Sequence, residues 1–516
     1  MKLEREKNAK RNLVAGTIQR IVALALPFVL RTAIIYSLGG AYVGLNTLFG
    51  SVLSVLSLAE LGFGVAVVYS MYDPIAKNDH TKICQLLSYY RKCYRIIGTV
   101  ILGIGLVMTP FIPSLVKSDI PDDVNIKIVY IITLSSTALS YVTFAYKGSL
   151  LTALQRNDIT SWVTTAITLL RDGIQIFIIL QFRNYYAFIL VNPLMTLLNG
   201  VMVELITRRK YPEYKPIGNL DQASTNIIKS KVKSLFLVKV GNVVFNSVDN
   251  IVISAFFGLT TLAIYGNYYY VISTLFGFLK IYYDSMRAGI GNKMALESKE
   301  KVYELYEQLF FLQTLLIGWM TICLICLYQD FIVLWLHEEK YLFDEKMVFL
   351  LAFYFYSWKI HDIASIFKEA AGLWEYDRFA PLISSMCNLL INIVLVHVIG
   401  IYGVVISTIA CSLFFPICWQ IRVLYKYYFG IPYKPYLKSI GLHAILTCFL
   451  GSITYYICKH IQIHPILISF LIKFLVCCII PLGAYNVFFH KNPLYIINKK
   501  RIIRLMKIQG RRNVNS

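Results

Sequence analysis

An apolar run long enough to cross a bilayer recurs fourteen times along this chain of 516 residues, near 13–38, 44–72, 84–112, 124–146, 159–182, 185–207, 233–257, 262–287, 304–336, 346–368, 379–399, 402–425, 438–458 and 463–489. A helical crossing needs roughly 20 mostly apolar residues. Inside hydrocarbon each backbone N–H and C=O must find its partner within the protein, which leaves helices or closed barrels. These runs are continuously apolar and do not alternate, so a barrel is excluded. Charged residues make up 15% of the chain and the mean hydropathy is +0.61, against about 25% charged residues in soluble domains. The expected fold class is an all-α polytopic membrane protein of about 14 transmembrane helices. No cleavable signal peptide is expected, since the first run is too long for one.

The net charge of +22 is explained by where the cations fall. With the N-terminus on the cytoplasmic side, 37 of the 50 Lys and Arg residues lie in inner segments, 6 in outer segments (Lys117, Lys127, Arg183, Lys340, Lys346 and Lys459) and 7 within spans. Basic residues stay on the cytoplasmic side of a membrane protein, where they face anionic headgroups. Both termini are therefore expected in the cytoplasm. Membrane lipids, and not nucleic acid, are the expected partners of this charge.

The long inner break at 208–232 divides the chain, and a repeat emerges across it. LQRND at 154–158 precedes the fifth span and LWEYD at 373–377 the eleventh; PEYKP at 212–216 follows the sixth and PYKP at 432–435 the twelfth. Asp158 and Asp377, like Pro216 and Pro435, are 219 residues apart. Tyr42-Val-Gly44 and Tyr265-Gly266-Asn267 open the second and eighth spans. Each half holds six spans and starts inside, so the halves are parallel repeats, an arrangement that places a substrate path between lobes. The expected organisation is an N-lobe at 1–207, a cytoplasmic linker at 208–232, a C-lobe at 233–430, two extra spans at 431–490 and a basic cytoplasmic tail at 491–516.

The second span is the most distinctive. Ser51, Ser54 and Ser57 share a face, Gly44, Gly50, Gly62 and Gly64 permit close packing or bending, and Glu60 places a carboxylate within it. Three stretches, GAYVGLNTLFGSVLSVLSLAELGFG at 40–64, YSMYDPIAKND at 69–79 and YRKCYRII at 90–97, resemble the N-terminal region of bacterial polysaccharide flippases, the O-antigen, capsule and teichoic-acid type exporters of the multidrug/oligosaccharidyl-lipid/polysaccharide (MOP) superfamily. The match is strong over about residues 10–110. The resemblance implies two six-helix lobes forming a V, an alternating-access cycle in the bacterial plasma membrane, and as cargo a polyprenyl-diphosphate-linked oligosaccharide, with a glycan polymerase and glycosyltransferases as companions. The chain is expected to be a monomer.

Such a cargo is a membrane-embedded anion, so cations at membrane depth are the candidate contacts. Arginine's planar fork suits phosphate. Arg31 and Arg20 in the first span and Lys239 in the seventh are the expected substrate-binding cations; for each the alternative is a headgroup contact. Asp249 with Asn242, Asn246 and Asn250 makes a polar stripe on the seventh span, either a cavity wall or helix packing. Lys359, His361 and Asp362 form a dense cluster in the tenth span that could relay protons or bind a coupling cation. Arg171-Asp172, with partners on other helices, and Lys280 with Asp284 at i, i+4 are expected structural pairs; Lys473 reaches lipid phosphate or a side groove. Glu60 is expected to be an internal partner.

No catalytic residue, metal ligand or cofactor is expected; coupling to an H+ or Na+ gradient is. Of the eleven cysteines, Cys323-x-x-Cys326 lies within a span without partner ligands, so zinc and redox roles are discounted. Two other functions compete. A multidrug-cation exporter of the related MATE branch would want an acidic cavity, whereas the first span offers only arginines. A membrane-embedded polymerase or acyltransferase would want larger outer loops and a nucleophile–base constellation.

Overall fold

The computed structural model describes residues 5–500 apart from 61, 62, 144 and 462, and leaves the side chains of 5, 59, 145, 234, 235, 237, 238 and 288 aside. The tail at 501–516 and the Leu61-Gly62 step of the second span lie outside the described residues.

In chain order the long helices are α1 (Arg5–Ser37), α2 (Gly40–Leu56), α3 (Phe63–Ala76), α4 (His80–Met108), α5 (Ile126–Val142), α6 (Ala145–Ala153), α7 (Asn157–Phe182), α8 (Tyr185–Lys210), α9 (Gln222–Phe257), α10 (Leu259–Leu296), α11 (Lys299–Leu336), α12 (Glu345–Lys359), α13 (Asp362–Ala370), α14 (Ala380–Ile399), α15 (Ile401–Phe415), α16 (Lys434–Lys459) and α17 (Ile466–Phe489). Each of the fourteen apolar runs carries α-helix among its described residues. Among the described residues ten helices are individually long and apolar enough to cross a membrane, and eleven if α5 and α6, inclined at 49°, form one crossing. The remaining three expected spans differ for physical reasons. The second is broken by a tight turn at Ser57–Glu60 between α2 and α3. The eighth, α10, is continuous but carries Lys280 and Asp284 among tyrosines. The tenth breaks between α12 and α13. The protein is an all-helical, multi-pass membrane protein, and its outward side chains fit: Leu13, Val107, Ile445 and Ile479 are each about two-thirds exposed or more.

Starts of helices are written locally. Asp79, Asn125, Asn184, Asp221 and Asp344 each accept a bond from a first-turn backbone N–H of α4, α5, α8, α9 and α12, the usual satisfaction of orphan donors. The Asp221 cap shortens the connection expected at 208–232: α8 runs to Lys210 and α9 begins at Gln222. The loop between them is pinned to inner helix ends. Lys92 Nζ bonds Asn219 at 3.0 Å, Lys147 Nζ donates to the Tyr214 carbonyl at 3.0 Å, and Lys82 pairs with Asp221. The Lys82 bond, with the Ser224 amide, holds the Asp221 carboxyl below the usual carboxylate range.

By packing, the chain forms two compact units, residues 1–266 with 381–389 and residues 267–380 with 390–516. In the first, α1 lies along α7, α4 and α8 flank α5, and α9 packs on α2 and α3. Its core gathers Val67, Leu87, Tyr90, Leu150 and Leu154. In the second, α11 is the central mast, contacted by α12, α16 and α17, with Phe311, Ile322, Leu450 and Tyr485 interlocked. Both repeat-related carboxylates are buried and paired: Asp158 takes a two-pronged bond from Arg156 at 2.9 and 3.0 Å, and Asp377 pairs with Lys368.

The glycines of the second span divide by role. A Cβ at Gly44 would run into the Leu259 carbonyl, so α2 and the start of α10 touch backbone to backbone. Gly50 has open space around it. The serines satisfy themselves by bonding carbonyls one turn back, Ser54 to Gly50 at 2.7 Å and Ser57 to Leu53 at 2.8 Å. Ser51 also accepts from Asn250 of α9 at 2.9 Å. Gly44→Ala is expected to cost about 1–3 kcal/mol by overpacking, while Gly50→Ala, which removes a helix-interior glycine, stabilises by a few tenths to about 1 kcal/mol; unfolding of the two variants in detergent, followed by circular dichroism, separates them.

Candidate functional site: a tyrosine-lined cavity with Lys239

The break in the second span opens a cavity of about 760 Å³ in the first unit. Its walls come from α3, α4, the α5–α6 bend and α9. Glu60 follows directly from the break: the turn Ser57–Glu60 carries it out of helical register, and it accepts hydrogen bonds from Tyr94 and from Tyr141 at 3.0 Å. Tyr90 is held by Ser149 at 3.0 Å, and the Tyr90 and Tyr94 rings meet edge to face at 4.3 Å. Gly64 keeps this cluster bare, since a Cβ there would stand 3.1 and 3.2 Å from the Tyr90 and Tyr94 hydroxyls. Tyr69 and Tyr72 line the same cavity and are 62% and 47% exposed. Lys239 of α9 faces it, and Lys231, two turns earlier, sits over the Tyr69 ring at 3.9 Å.

Chemically this is a cation beside aromatic faces and hydroxyls, with one carboxylate tied down by phenols. Aromatic faces and hydroxyls suit sugar rings, and an ammonium suits phosphate. Arg31 and Arg20 do not line this cavity. Arg31 is half-buried where α1 meets α2, 3.4 Å from Thr47 Oγ1 and beside Gly266; Arg20 is half-exposed on α1. The stripe on α9 splits: Asn242 and Asn246 are exposed, Asp249 is buried, and Asn250 binds Ser51.

A second cavity, of about 350 Å³, lies in the second unit at the break between α12 and α13. Lys359 and Asp362 line it as an ion pair of 2.9 Å, with Lys280, Asp284, Arg287 and Glu369 around them. His361 points elsewhere: it is buried, with Nδ1 2.7 Å from the Tyr436 hydroxyl of α16. The three consecutive candidates therefore divide between two surroundings. The sequence offset of 219 relates the two cavities: Gly64 and Tyr283, Val65 and Asp284, Val68 and Arg287, and Ser140 and Lys359 line them at matching positions.

Two expected pairings are corrected. Asp284 lies 3.9 Å from Arg287, at i, i+3, and not against Lys280. Arg171 pairs with its own neighbour, the buried Asp172, at 2.7 Å, because its side chain folds back along α7 instead of crossing to another helix. Lys473 pairs with Asp330 of α11 at 2.6 Å and lines a further cavity of about 350 Å³. Neither Asp330 nor the tyrosine ring around Glu60 was singled out from sequence. A lone acid in an apolar run (Asp330) was the available signal for the first; the second joins residues far apart in the chain and had none.

The fold and its cavities are those of a multi-pass helical membrane protein. No model of a known family matches the chain, and no curated protein matches it. Among solved structures the fold superposes on the lipid II flippase MurJ in an inward closed conformation, with a TM-score of 0.67 and 15% identity over 93% of this chain and 98% of that one. It also superposes on a multidrug-resistance MATE family transporter of the MOP superfamily in an inward-facing conformation (TM-score 0.59, 15% identity, 79% and 98% covered). A Vibrio cholerae MATE transporter gives 0.54 at 14% identity, with 82% and 97% covered. The chain has the fold shared by these MOP-superfamily flippases and transporters.

Glu60→Ala is expected to destabilise the first unit by about 1–3 kcal/mol, since it strands the Tyr94 and Tyr141 hydroxyls. Lys239→Ala, which removes a half-exposed cation from a cavity wall, should leave stability within about 0.5 kcal/mol. Thermal unfolding of the detergent-solubilised variants reads both.

Proposed function

We propose that the protein is a lipid-linked oligosaccharide flippase, moving a polyprenyl-diphosphate-linked glycan repeat unit from the inner to the outer leaflet of a bacterial plasma membrane by alternating access, for surface polysaccharide assembly. The observation that carries this reading is the Lys239 cavity, whose exposed tyrosines and hydroxyls offer sugar-binding surfaces beside a cation. The superposition over 93% of the chain on a lipid II flippase, against 79–86% for the MATE transporters, supports the same choice.

Moving a diphosphate through hydrocarbon requires replacing its hydration with fixed donors. In this reading Lys239 supplies one such donor, and Arg31 and Arg20 supply others in a different conformation of the cycle. The Lys359–Asp362 pair is the coupling candidate: an incoming proton or Na+ would compete with the ammonium for the carboxylate. Both termini face the cytoplasm, and the glycan is received from glycosyltransferases and delivered to a polymerase.

In proteoliposomes carrying a fluorescent polyprenyl-diphosphate oligosaccharide, the wild type should move the lipid between leaflets. Lys239→Gln and Arg31→Ala should slow it about 10- to 100-fold, the loss of one charge-assisted contact of about 1.5–3 kcal/mol. Unchanged rates in both variants would remove the cationic-site claim. A wild type that leaves the lipid in place but expels organic cations would favour the MATE-type reading. Orientation is checked separately: Lys340→Cys should react with a membrane-impermeant maleimide in intact cells, and Lys215→Cys only after permeabilisation.

A further inference from the structure

The sequence expectation for Cys326 was that it has no partner ligands, and the second unit overturns it. The Sγ atoms of Cys326, Cys458 and Cys477 all lie within 4.8 Å of one another. They arrive on three helices, α11, α16 and α17, so no local motif brings them together. Cys458 and Cys477 are buried, at 2% and 0% exposure, and Cys326 is half-buried. Cys323, the apparent CxxC partner, is not one of the three.

We propose that these three thiols bind copper(I), a site independent of the transport reading above. Thiolates are soft donors that select soft d10 ions, whereas zinc sites complete a tetrahedron. Among the described residues the cluster holds three sulfurs with no histidine or carboxylate as a fourth member, a set that suits a trigonal copper(I) centre. Metal–thiolate bonds of about 2.3 Å would draw the sulfurs to about 4 Å apart, a small contraction for three rotatable side chains. Binding releases protons: one copper(I) and three thiols give a tris-thiolate complex of charge −2 and three H+. Two cations stand beside the thiols in the same cavity wall, Lys473, one turn before Cys477 on α17 and paired with Asp330, and Lys459, next to Cys458 and paired with Glu345. An entry route exists, because Cys326 and Cys458 form part of the wall of the 350 Å³ cavity that also holds Asp330 and Glu345. A filled site would staple the last two helices to α11.

The test is an anaerobic titration of the reduced, full-length protein in detergent with copper(I), in competition with bicinchoninate. The wild type should retain one equivalent, with three sulfurs at about 2.3 Å by copper X-ray absorption, and should gain thermal stability on binding. Cys326→Ser, the least buried of the three, should lose affinity at least 100-fold and lose the thermal gain; Cys448→Ser, exposed on α16, should retain both. If Cys326→Ser does not yield monodisperse protein, the wild-type absorption spectrum decides alone. No retained equivalent, a first shell of nitrogen or oxygen, equal retention by Cys326→Ser, or displacement of copper(I) by an equimolar amount of zinc would each overturn the assignment.

Discussion

Hydrocarbon offers no partner to a polar group, and each feature of this protein follows from that. The backbone answers by becoming helix. The side chains answer by pairing: Arg156 with Asp158, Arg171 with Asp172, Lys359 with Asp362, Lys368 with Asp377 and Lys473 with Asp330. A buried ion pair is weak evidence for stability, because desolvation cancels much of the Coulomb gain. Its strength is in what it forbids. Removing one partner leaves an uncompensated charge at a cost of about 3–5 kcal/mol; Lys473–Asp330 thereby ties α17 to α11, while the other four pairs act within a helix or across the turn or break beside it. The serines of α2 make the same point without charge, each bonded one turn back before any tertiary contact is made.

How much of this was legible in the sequence depended on the range of the interaction. The fourteen runs are local, and each carries α-helix among its described residues, ten or eleven of them long and apolar enough to cross a membrane. The offset of 219 read from Asp158 and Asp377 also separates four matching positions in the two cavity linings. Side-chain direction was not legible. Lys359, His361 and Asp362 look like one cluster on paper, but a helix break between them sends His361 to Tyr436 and the other two to a cavity. Arg171 and Asp172 were adjacent all along, yet helical neighbours usually point apart, so their contact was not expected. The Glu60–Tyr94–Tyr141 set and the three thiols join residues 19 to 151 positions apart on different elements, and nothing in their local surroundings announces it.

The matching positions of the two cavities also explain why the breaks sit where they do. Non-helical backbone at membrane depth is tolerated only where protein covers it or a wet cavity meets it. In the first unit the turn at Ser57–Glu60 and the α5–α6 bend both border the 760 Å³ cavity. In the second, the α12–α13 break borders the 350 Å³ cavity. The tenth span is the repeat partner of the fourth, and both are broken. Each break borders a cavity, which is the physical requirement of interrupted helix at membrane depth. What the copies no longer share is chemistry. The first keeps tyrosines, hydroxyls and one carboxylate beside Lys239; the second holds three cations and three carboxylates, mutually compensating. Among the described lining residues of the first pocket the one acid, Glu60, is engaged by two phenols, which leaves the Lys239 face suited to an anion. A charge-balanced pocket is suited to exchange one counter-ion for another. What the two cavities share is an interrupted helix at membrane depth, and what separates them is the charge of their linings.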